Sequence, residues 1–302
     1  MDNILLARIA KAQGKSLEQV QQVIKEAEEA EIRGHKVHVN VVKQSVSENQ
    51  EVQVQLPIWG ERIRGVPNSV LRSALFTATR RGKRAYFERV KIAAVDGVSV
   101  LFTGPRLDQA DLDVWEQCLH LAKTNDLGNR IEFSAHGFLK AIGRSTGSSD
   151  HEWLKGAFAR LASSVVELSD GKRAYFGALI SYGQRNDETG RYGLELNPKI
   201  ANLYNDDGWT GQDWEQRKAL KGKPLALWLH GFYSSHAKPF DYKIETIHGL
   251  CGSEAKDIYA FNQMIKEALN DLSKASGWNC RVEGDKLQIF KTPEQLIKRL
   301  AK

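Results

Sequence analysis

Two neighbouring stretches decide the fold of this chain: Phe133-Ser-Ala-His-Gly-Phe-Leu-Lys-Ala-Ile-Gly-Arg-Ser145 and Asp150-His-Glu-Trp-Leu-Lys-Gly-Ala-Phe-Ala-Arg-Leu161. Both carry apolar residues at helical spacing, and a turn rich in Gly and Ser separates them. The same order returns in Lys243-Ile-Glu-Thr-Ile-His-Gly-Leu-Cys-Gly-Ser253 and Asp257-Ile-Tyr-Ala-Phe-Asn-Gln-Met-Ile-Lys-Glu-Ala-Leu269. Two short strand-like runs, joined by a turn with basic residues, follow each pair. A helix-turn-helix followed by a β-hairpin is the order of a winged helix, so the sequence predicts two of them.

An ungapped comparison of the chain with itself supports the repeat. When the first helix pair is shifted by about 108 positions, mainly apolar residues fall on apolar residues. The coinciding pairs are Leu139 with Ile247, Ile142 with Leu250, Trp153 with Phe261, Ala157 with Ile265 and Leu161 with Leu269. Their spacing by three and four is that of the core side of a helix. Unrelated amphipathic helix pairs can be aligned in the same way, so the alignment alone leaves chance similarity open.

The composition indicates a two-domain protein of a reducing compartment. The chain has 302 residues, of which 41% are hydrophobic, enough for two cores. The three cysteines, Cys118, Cys251 and Cys280, are far apart and form no CxxC pair, which argues against disulfides or zinc and fits the cytoplasm. No signal peptide or membrane span is visible. The net charge of +6 suits a polyanionic partner but also occurs in proteins without one.

We therefore expect an α+β protein with two tandem winged-helix domains and a mostly helical or flexible N-terminal extension. The predicted divisions are 1–60 for the extension, 61–197 for the first domain and 198–302 for the second. The first wing is predicted at residues 175–182 and 192–196, and the second at 280–282 and 287–290. Residues 212–236 read as a long helix that Gly222-Lys-Pro224 kinks or splits.

The residues expected to contact DNA lie on the second helix of each pair and on the wings. In the first unit they are Arg144, His151, Lys155, Arg160, Lys172, Arg173, Arg185 and Arg191. In the second unit they are Lys256, Tyr259, Asn262, Gln263, Lys266, Arg281 and Lys286. Asn and Gln can pair with adenine and Lys or Arg with guanine, while the wings would contact phosphates. The alternative is a solvated helix face.

The densest basic run is Arg80-Arg81-Gly-Lys-Arg84. Its cations, Arg80, Arg81, Lys83 and Arg84, would contact DNA phosphates if the run forms a turn beside the duplex. A loop that only increases solubility is an equally good interpretation.

Catalysis has little support in the sequence. The chain has no phosphate-binding loop and no nucleophile elbow, and His35-Lys-Val-His38 has the wrong spacing for a nicking enzyme. Single histidines are structural or surface residues more often than metal ligands. We therefore expect a non-enzymatic protein with no cofactor and no metal site.

The pentapeptide Gln55-Leu-Pro-Ile-Trp59 lies in a polar, extended stretch. A glutamine followed by apolar anchors and an aromatic residue suits docking into a hydrophobic cleft, and the pattern resembles the pentapeptide by which bacterial proteins bind the replicative sliding clamp. The predicted clamp-binding residues are Gln55, Leu56, Pro57, Ile58 and Trp59. The alternative is that the same residues pack on the first domain of their own chain.

Three stretches, at residues 66–76, 131–144 and 225–237, closely resemble the TrfA family of plasmid replication initiators, and the resemblance extends over roughly residues 50–293. It implies tandem winged helices that bind iterons (direct repeats) at a plasmid origin. It also implies recruitment of the host initiator, the replicative helicase and the sliding clamp, and a monomer–dimer equilibrium in which the monomer is active on DNA.

The expected function is therefore origin binding with opening of a neighbouring AT-rich stretch, driven by strain in the bound duplex. A transcriptional repressor that binds an operator with the same fold is the alternative. Recruitment of the helicase and the clamp separates the two, because a repressor has no need of the pentapeptide.

Overall fold

The structure is a computed structural model that describes residues 18, 55–79, 82–95, 97–169, 171, 174–204 and 208–292. Most of the predicted N-terminal extension, together with Arg80, Arg81, Lys172 and Arg173, therefore lies outside the described residues. The first half contains β1 (Ile63–Pro67), α1 (Asn68–Leu71), β2 (Phe76–Thr77), β3 (Tyr86–Ile92), β4 (Ser99–Pro105), β5 (Leu107–Asp108), α2 (Gln109–Ala122), β6 (Ile131–Ser134), α3 (Ala135–Ala141) and α4 (Ser148–Ser163). Then follow β7 (Val165–Ser169), β8 (Ala174–Ala178), β9 (Tyr182–Asn186), β10 (Arg191–Glu195), a 3₁₀ helix (Pro198–Tyr204), β11 (Trp209–Asp213), α5 (Trp214–Ala219), α6 (Pro224–Ser234), α7 (Ile244–Leu250), α8 (Ile258–Ser276), β12 (Asn279–Glu283) and β13 (Lys286–Phe290).

The first winged helix consists of α2, α3 and α4 with the three-stranded sheet β6–β10–β9. Helix α3 begins after Ser134, whose side chain accepts a hydrogen bond from the Gly137 backbone N–H at 3.1 Å. The turn before α4 contains Gly143 at φ 67°, a left-handed backbone that suits glycine. Strand β10 pairs antiparallel with both β6 and β9, so the hairpin of β9 and β10 is the wing. The predicted winged-helix order is confirmed here.

The first strand predicted for this wing is wrong. Strand β8 belongs instead to a four-stranded sheet of order β3–β4–β7–β8. Its Tyr175 side chain is buried, as are Val166 and Leu168 on the neighbouring strand β7. Strands β7 and β8 form an antiparallel hairpin that directly follows α4 and buries alternate residues. Such a pattern fits a strand pair in either sheet. The wing itself begins only at β9.

The second winged helix consists of α6, α7, α8 and the β12–β13 hairpin. An isolated bridge between Lys243 and Lys286 replaces the strand that precedes α3 in the first unit. Gly222, at φ 80°, and Pro224, at the start of α6, split the helix predicted at 212–236. The split was one of the two expected outcomes, while Gln212 lies in strand β11 rather than in a helix. The predicted second wing is confirmed.

The described residues form two hydrophobic cores. The first core includes Leu56 and Trp59, which precede the predicted start of the first domain, and Tyr204 and Trp214, which follow its predicted end. The reason is that β1 pairs antiparallel with β11 and closes the first unit. The boundaries predicted after residues 60 and 197 therefore do not coincide with the limits of this core. The second core is built from α6, α7, α8 and β13, with Ala78 from the first half of the chain.

The repeat appears again in the buried residues of the helix pairs. Leu139 and Ile247 are both fully buried, as are Ala157 and Ile265. Trp153 is only partly buried, whereas Phe261, its partner in the ungapped comparison, is fully buried. The repeated unit is thus an element order, and the ungapped register does not hold at every position. No helix in the described part of the chain has the length and apolar character needed to cross a membrane.

Acid is expected to destabilise the second core through His230. Burial lowers the pKa of His230 to about 3, whereas an unfolded chain protonates histidine near pH 6.5. The unfolded state therefore binds more protons between these values, so stability is full above pH 6.5 and falls on acidification, by at most about 1.4 kcal/mol per pH unit. Urea unfolding at pH 7.5 and 5 should show a smaller loss for His230→Gln than for the unchanged protein. An equal loss would contradict this, and exposed His136→Gln serves as the control.

Candidate nucleic-acid interface

Helix α8 presents a polar, solvent-exposed stripe opposite its buried face. Asp257 caps the helix by accepting a hydrogen bond from the Ala260 backbone N–H at 2.7 Å. The buried face is formed by Phe261, Ile265, Ala268, Leu269 and Leu272. The exposed stripe consists of Tyr259, Gln263, Lys266 and Asn270. Their spacing of four, three and four residues places them on one side of the helix, and side chains of these types can bind base edges in a major groove.

Two residues of this helix differ from the prediction. Asn262 is half-buried and its Oδ1 atom is buried, because it adjoins Phe261 at the edge of the core face. It therefore does not belong to the exposed stripe. Asn270 does belong to it and was missed, although its position seven residues after Gln263 already placed it on the same side. Lys256 is exposed just before the helix, and Tyr259 is 73% exposed.

The second wing carries one exposed cation near its tip. Gly284, at φ 61°, forms the turn, and Lys286 is exposed at the start of β13. Arg281 lies across the hairpin: its Nε donates to Gln288 Oε1 at 3.0 Å, and its guanidinium lies 5.5 Å from the centre of the Phe290 ring. Lys286 is thus available for phosphate contact, whereas Arg281 also stabilises the wing.

Cations on the first recognition helix, α4, and in the turn before it contact acidic side chains. Arg144 forms an ion pair with Asp150 at 2.8 Å and lies over the Trp153 ring at 3.6 Å. Lys155 forms an ion pair with Glu152 at 2.5 Å. His151 is half-buried. Smaller side chains, including Ser149, Ala159 and Ser163, make up much of the rest of its exposed surface.

Arg160 and Arg84 contact buried acidic side chains of the first unit, and their contact with DNA stays a prediction. Arg160 Nη2 lies 2.7 Å from Asp111 Oδ1, and Arg84 Nη1 lies 2.9 Å from Asp111 Oδ2. Arg84 also forms an ion pair with Asp108 at 2.5 Å. Burial raises the pKa of Asp111, and the two guanidinium groups oppose that rise. A buried carboxylate requires such partners, so both arginines are engaged there, while Lys83 is exposed.

The first wing is exposed along the whole of β9 and its turn. Arg185 forms an ion pair with Asp187 at 2.5 Å, and Arg191 lies 3.6 Å from Glu132. Both pairs are at the surface, where such contacts contribute little to stability. Tyr182, 52% exposed at the start of β9, is an aromatic residue of this surface that was not among the residues predicted to contact DNA.

The 55–59 segment packs on its own chain, which was the alternative to clamp binding. Leu56 is 1% and Trp59 5% exposed. The Trp59 Nε1–H donates to His120 Nδ1 at 3.1 Å, and Gln55 donates to Asp126 at 2.7 Å. Pro57 and Ile58 are half-buried. Two of the residues predicted to anchor a clamp therefore belong to the first core, because the same apolar anchors fit a cleft on their own chain.

Comparison with known proteins places the chain in one family. The family model described as TrfA protein matches residues 13–287. The plasmid replication initiator protein TrfA of Escherichia coli is 25% identical over 258 residues, which cover 82% of this chain and 65% of that protein. The match thus spans less than two thirds of this relative's length.

One of two similar solved structures supports the fold. The second and third domains of RctB superpose with a TM-score of 0.50 at 11% identity, covering 74% of this chain and 96% of that one. The Pi initiator protein in complex with iteron DNA gives a TM-score of 0.46 at 13% identity, covering 60% of this chain and 92% of that one. Because the family model matches most of its length, the chain belongs to the TrfA protein family.

Proposed function

We propose that this chain is a plasmid replication initiator that binds iteron repeats at a plasmid origin and has no enzymatic activity of its own. The observation that carries the proposal is the exposed stripe of Tyr259, Gln263, Lys266 and Asn270 on the second recognition helix. Membership of the TrfA family and the name of the Escherichia coli relative supply the biological role. The site of action is the cytoplasm, where plasmid origins are.

The two winged helices have different roles in DNA binding in this proposal. The second unit reads bases, because α8 exposes the amides of Gln263 and Asn270 and the ammonium group of Lys266 along one side. The first unit contributes mainly contact with the DNA backbone and close approach to the duplex, because its Arg144, Lys155 and Arg160 contact acidic side chains. The helices occupy major grooves about one helical turn apart, and the wings contact phosphates. Strain in the bound duplex then favours opening of an AT-rich neighbour.

The proposed protein partners are the sliding clamp, the host replication initiator, the replicative helicase and a second copy of the chain. The 55–59 segment remains the proposed clamp contact. Since Leu56 and Trp59 are buried, this contact requires the segment to leave the first core.

Replacing Gln263 with Ala is expected to cost about 1–3 kcal/mol of DNA binding and to relax the preference at one base pair. Lys286→Ala on the second wing is the matched comparison, because a phosphate contact affects all sequences alike and its loss lowers the salt slope by about one. Fluorescence anisotropy over a salt series measures both effects. An equal loss of affinity on all DNA sequences for Gln263→Ala would show that this side chain contacts the DNA backbone and not a base.

A plasmid establishment assay tests the proposed role. A plasmid whose single origin is a candidate iteron fragment is introduced into host cells with or without this chain supplied from a second replicon. The proposal predicts colonies only when the chain is present. Sequence-specific binding without any plasmid establishment would indicate the repressor alternative instead.

A further inference from the structure

The turn of the second helix-turn-helix is fastened to the first half of the chain. Residues 76–79 run from one core to the other, since Phe76 is buried in the first and Ala78 in the second. The Ala78 backbone N–H donates to the Cys251 carbonyl at 2.8 Å. At Gly252, φ 62°, an added Cβ would lie 2.7 Å from Thr77 Cγ2. The turn and the 76–79 segment are thus in close contact, with no room for a methyl group.

The turn of the first helix-turn-helix is fastened in a corresponding way by α5, which leads into the second unit. The Trp214 Nε1–H donates to the Ala141 carbonyl at 2.9 Å. Lys221 Nζ donates to the Gly143 carbonyl. An added Cβ at Gly143 would lie 3.5 Å from the Lys218 side chain. Each recognition helix therefore begins at a turn that is held by a segment connected to the other unit.

A buried bridge joins the same two units between the turns. Arg217 of α5 lies 2.7 Å from Asp113 Oδ1 and 3.2 Å from Glu116 Oε2, both on α2. On the other side, Trp228 of α6 donates its Nε1–H to the Ser73 carbonyl at 3.2 Å. Well-packed interiors with directional polar contacts have discrete arrangements and do not deform continuously. These contacts therefore favour one discrete arrangement of the two units over a continuous range.

We infer that these reciprocal contacts fix the distance and rotation between the two recognition helices, so that the chain accepts a single spacing between the two half-contacts of its DNA site. One added base pair moves a half-contact by about 3.4 Å along the duplex and turns it by about 35°. The contact between the turn and the 76–79 segment, which has no room for a methyl group, cannot accommodate a movement of that size. Thr77 and Gly252 are the positioning residues. The inference rests on the proposed function, because it concerns the same DNA site.

The test is selection of bound duplexes from a random library, followed by measurement of the distance between the two enriched half-motifs. The unchanged chain should enrich one spacing, with at least about tenfold weaker binding when one base pair is added or removed. Gly252→Ala should broaden or shift the spacing. Gly277→Ala is the matched control, since Gly277 also has a positive φ, 71°, but an added Cβ meets no atom within 4 Å.

The double variant Gly252→Ala with Thr77→Ser should move the spacing back toward the original, because serine lacks the Cγ2 that makes the closest contact with the new methyl group. Serine also keeps the hydroxyl that donates to the Leu107 carbonyl at 3.0 Å. Several equally enriched spacings for the unchanged chain, or an unaltered spacing in Gly252→Ala, would overturn the inference. A library without any enriched motif would instead overturn the proposed function and the inference with it.

A measurement without DNA separates these failures. Spin labels are placed at Ala159→Cys and Gln263→Cys on the two recognition helices, in a chain carrying Cys280→Ser; the other cysteines, Cys118 and Cys251, are buried. Electron–electron double resonance should give one narrow distance distribution, broader in Gly252→Ala than in Gly277→Ala. A broad distribution in the unchanged background would overturn the inference whatever the DNA result.

Discussion

Replacing Arg217 with Ala is expected to lower the free energy of unfolding by about 3–5 kcal/mol, as the loss of one partner from a buried ion pair does. The Arg217 side chain is 1% exposed and contacts Asp113 and Glu116. Burial raises the pKa of Glu116 to about 7 and also raises that of Asp113, while Arg217 opposes both shifts. Without the guanidinium, the buried carboxyl group of Glu116 and the half-buried carboxyl group of Asp113 lose their main counter-charge.

The deficit should be larger at pH 8 than at pH 5. A carboxyl group whose pKa is raised in the folded state binds a proton on folding, so its contribution to stability is fully present at low pH and is lost as the pH rises through the folded pKa. Removing Arg217 raises these pKa values further. Urea unfolding at both pH values measures the effect, with partly exposed Lys218→Ala as the control. A loss below about 1 kcal/mol at pH 8 would contradict the burial of this bridge.

Replacing Trp59 with Ala is expected to cost about 3–5 kcal/mol of stability, the usual loss for a large buried aromatic residue. The indole stacks on Tyr204 with ring centres 6.1 Å apart and donates to His120. Gly65 leaves space for the Trp59 indole, since an added Cβ at Gly65 would lie 2.6 Å from the indole ring. Half-buried Ile58→Ala is the control and should cost clearly less. Equal small losses for both variants would mean that the segment does not belong to the core.

The same site separates internal packing from clamp binding. Gly65→Ala should push the indole out of its pocket and lower stability, but leave all five residues of the 55–59 segment intact. If the segment binds the sliding clamp after it detaches, capture of the chain on immobilised clamp should increase in Gly65→Ala and disappear when Ile58→Ala is added. Capture that stays at background in Gly65→Ala would contradict the proposed clamp contact.

Local patterns were sufficient to predict the two winged helices. The apolar spacing of each helix and the Glu283-Gly-Asp turn are properties of neighbouring residues, so the helix pairs and the second wing could be placed from the sequence. The strand at Ala174–Ala178 could not be assigned, because alternation shows that a strand buries one face but does not identify its sheet.

The contacts of the predicted site residues that local patterns did not reveal share a long-range cause. Arg160 lies on α4 where a helical projection places it away from the core, but its partner Asp111 lies 49 residues earlier on another helix. Arg84 shares that partner. The 55–59 segment has anchors that suit a cleft on a partner and a cleft on its own chain equally well. In each case the deciding contact is with residues distant in the sequence, which no local pattern specifies.

We expect this chain to recognise a specific DNA sequence through its two winged helices. The most direct measurement is fluorescence anisotropy of the purified chain on an iteron-bearing origin duplex and on a shuffled duplex of the same composition, over a salt series. We expect affinity for the origin duplex to be at least about a thousandfold higher. Equal affinity for both duplexes with the same steep salt dependence would show binding by charge alone and would contradict base readout by α8.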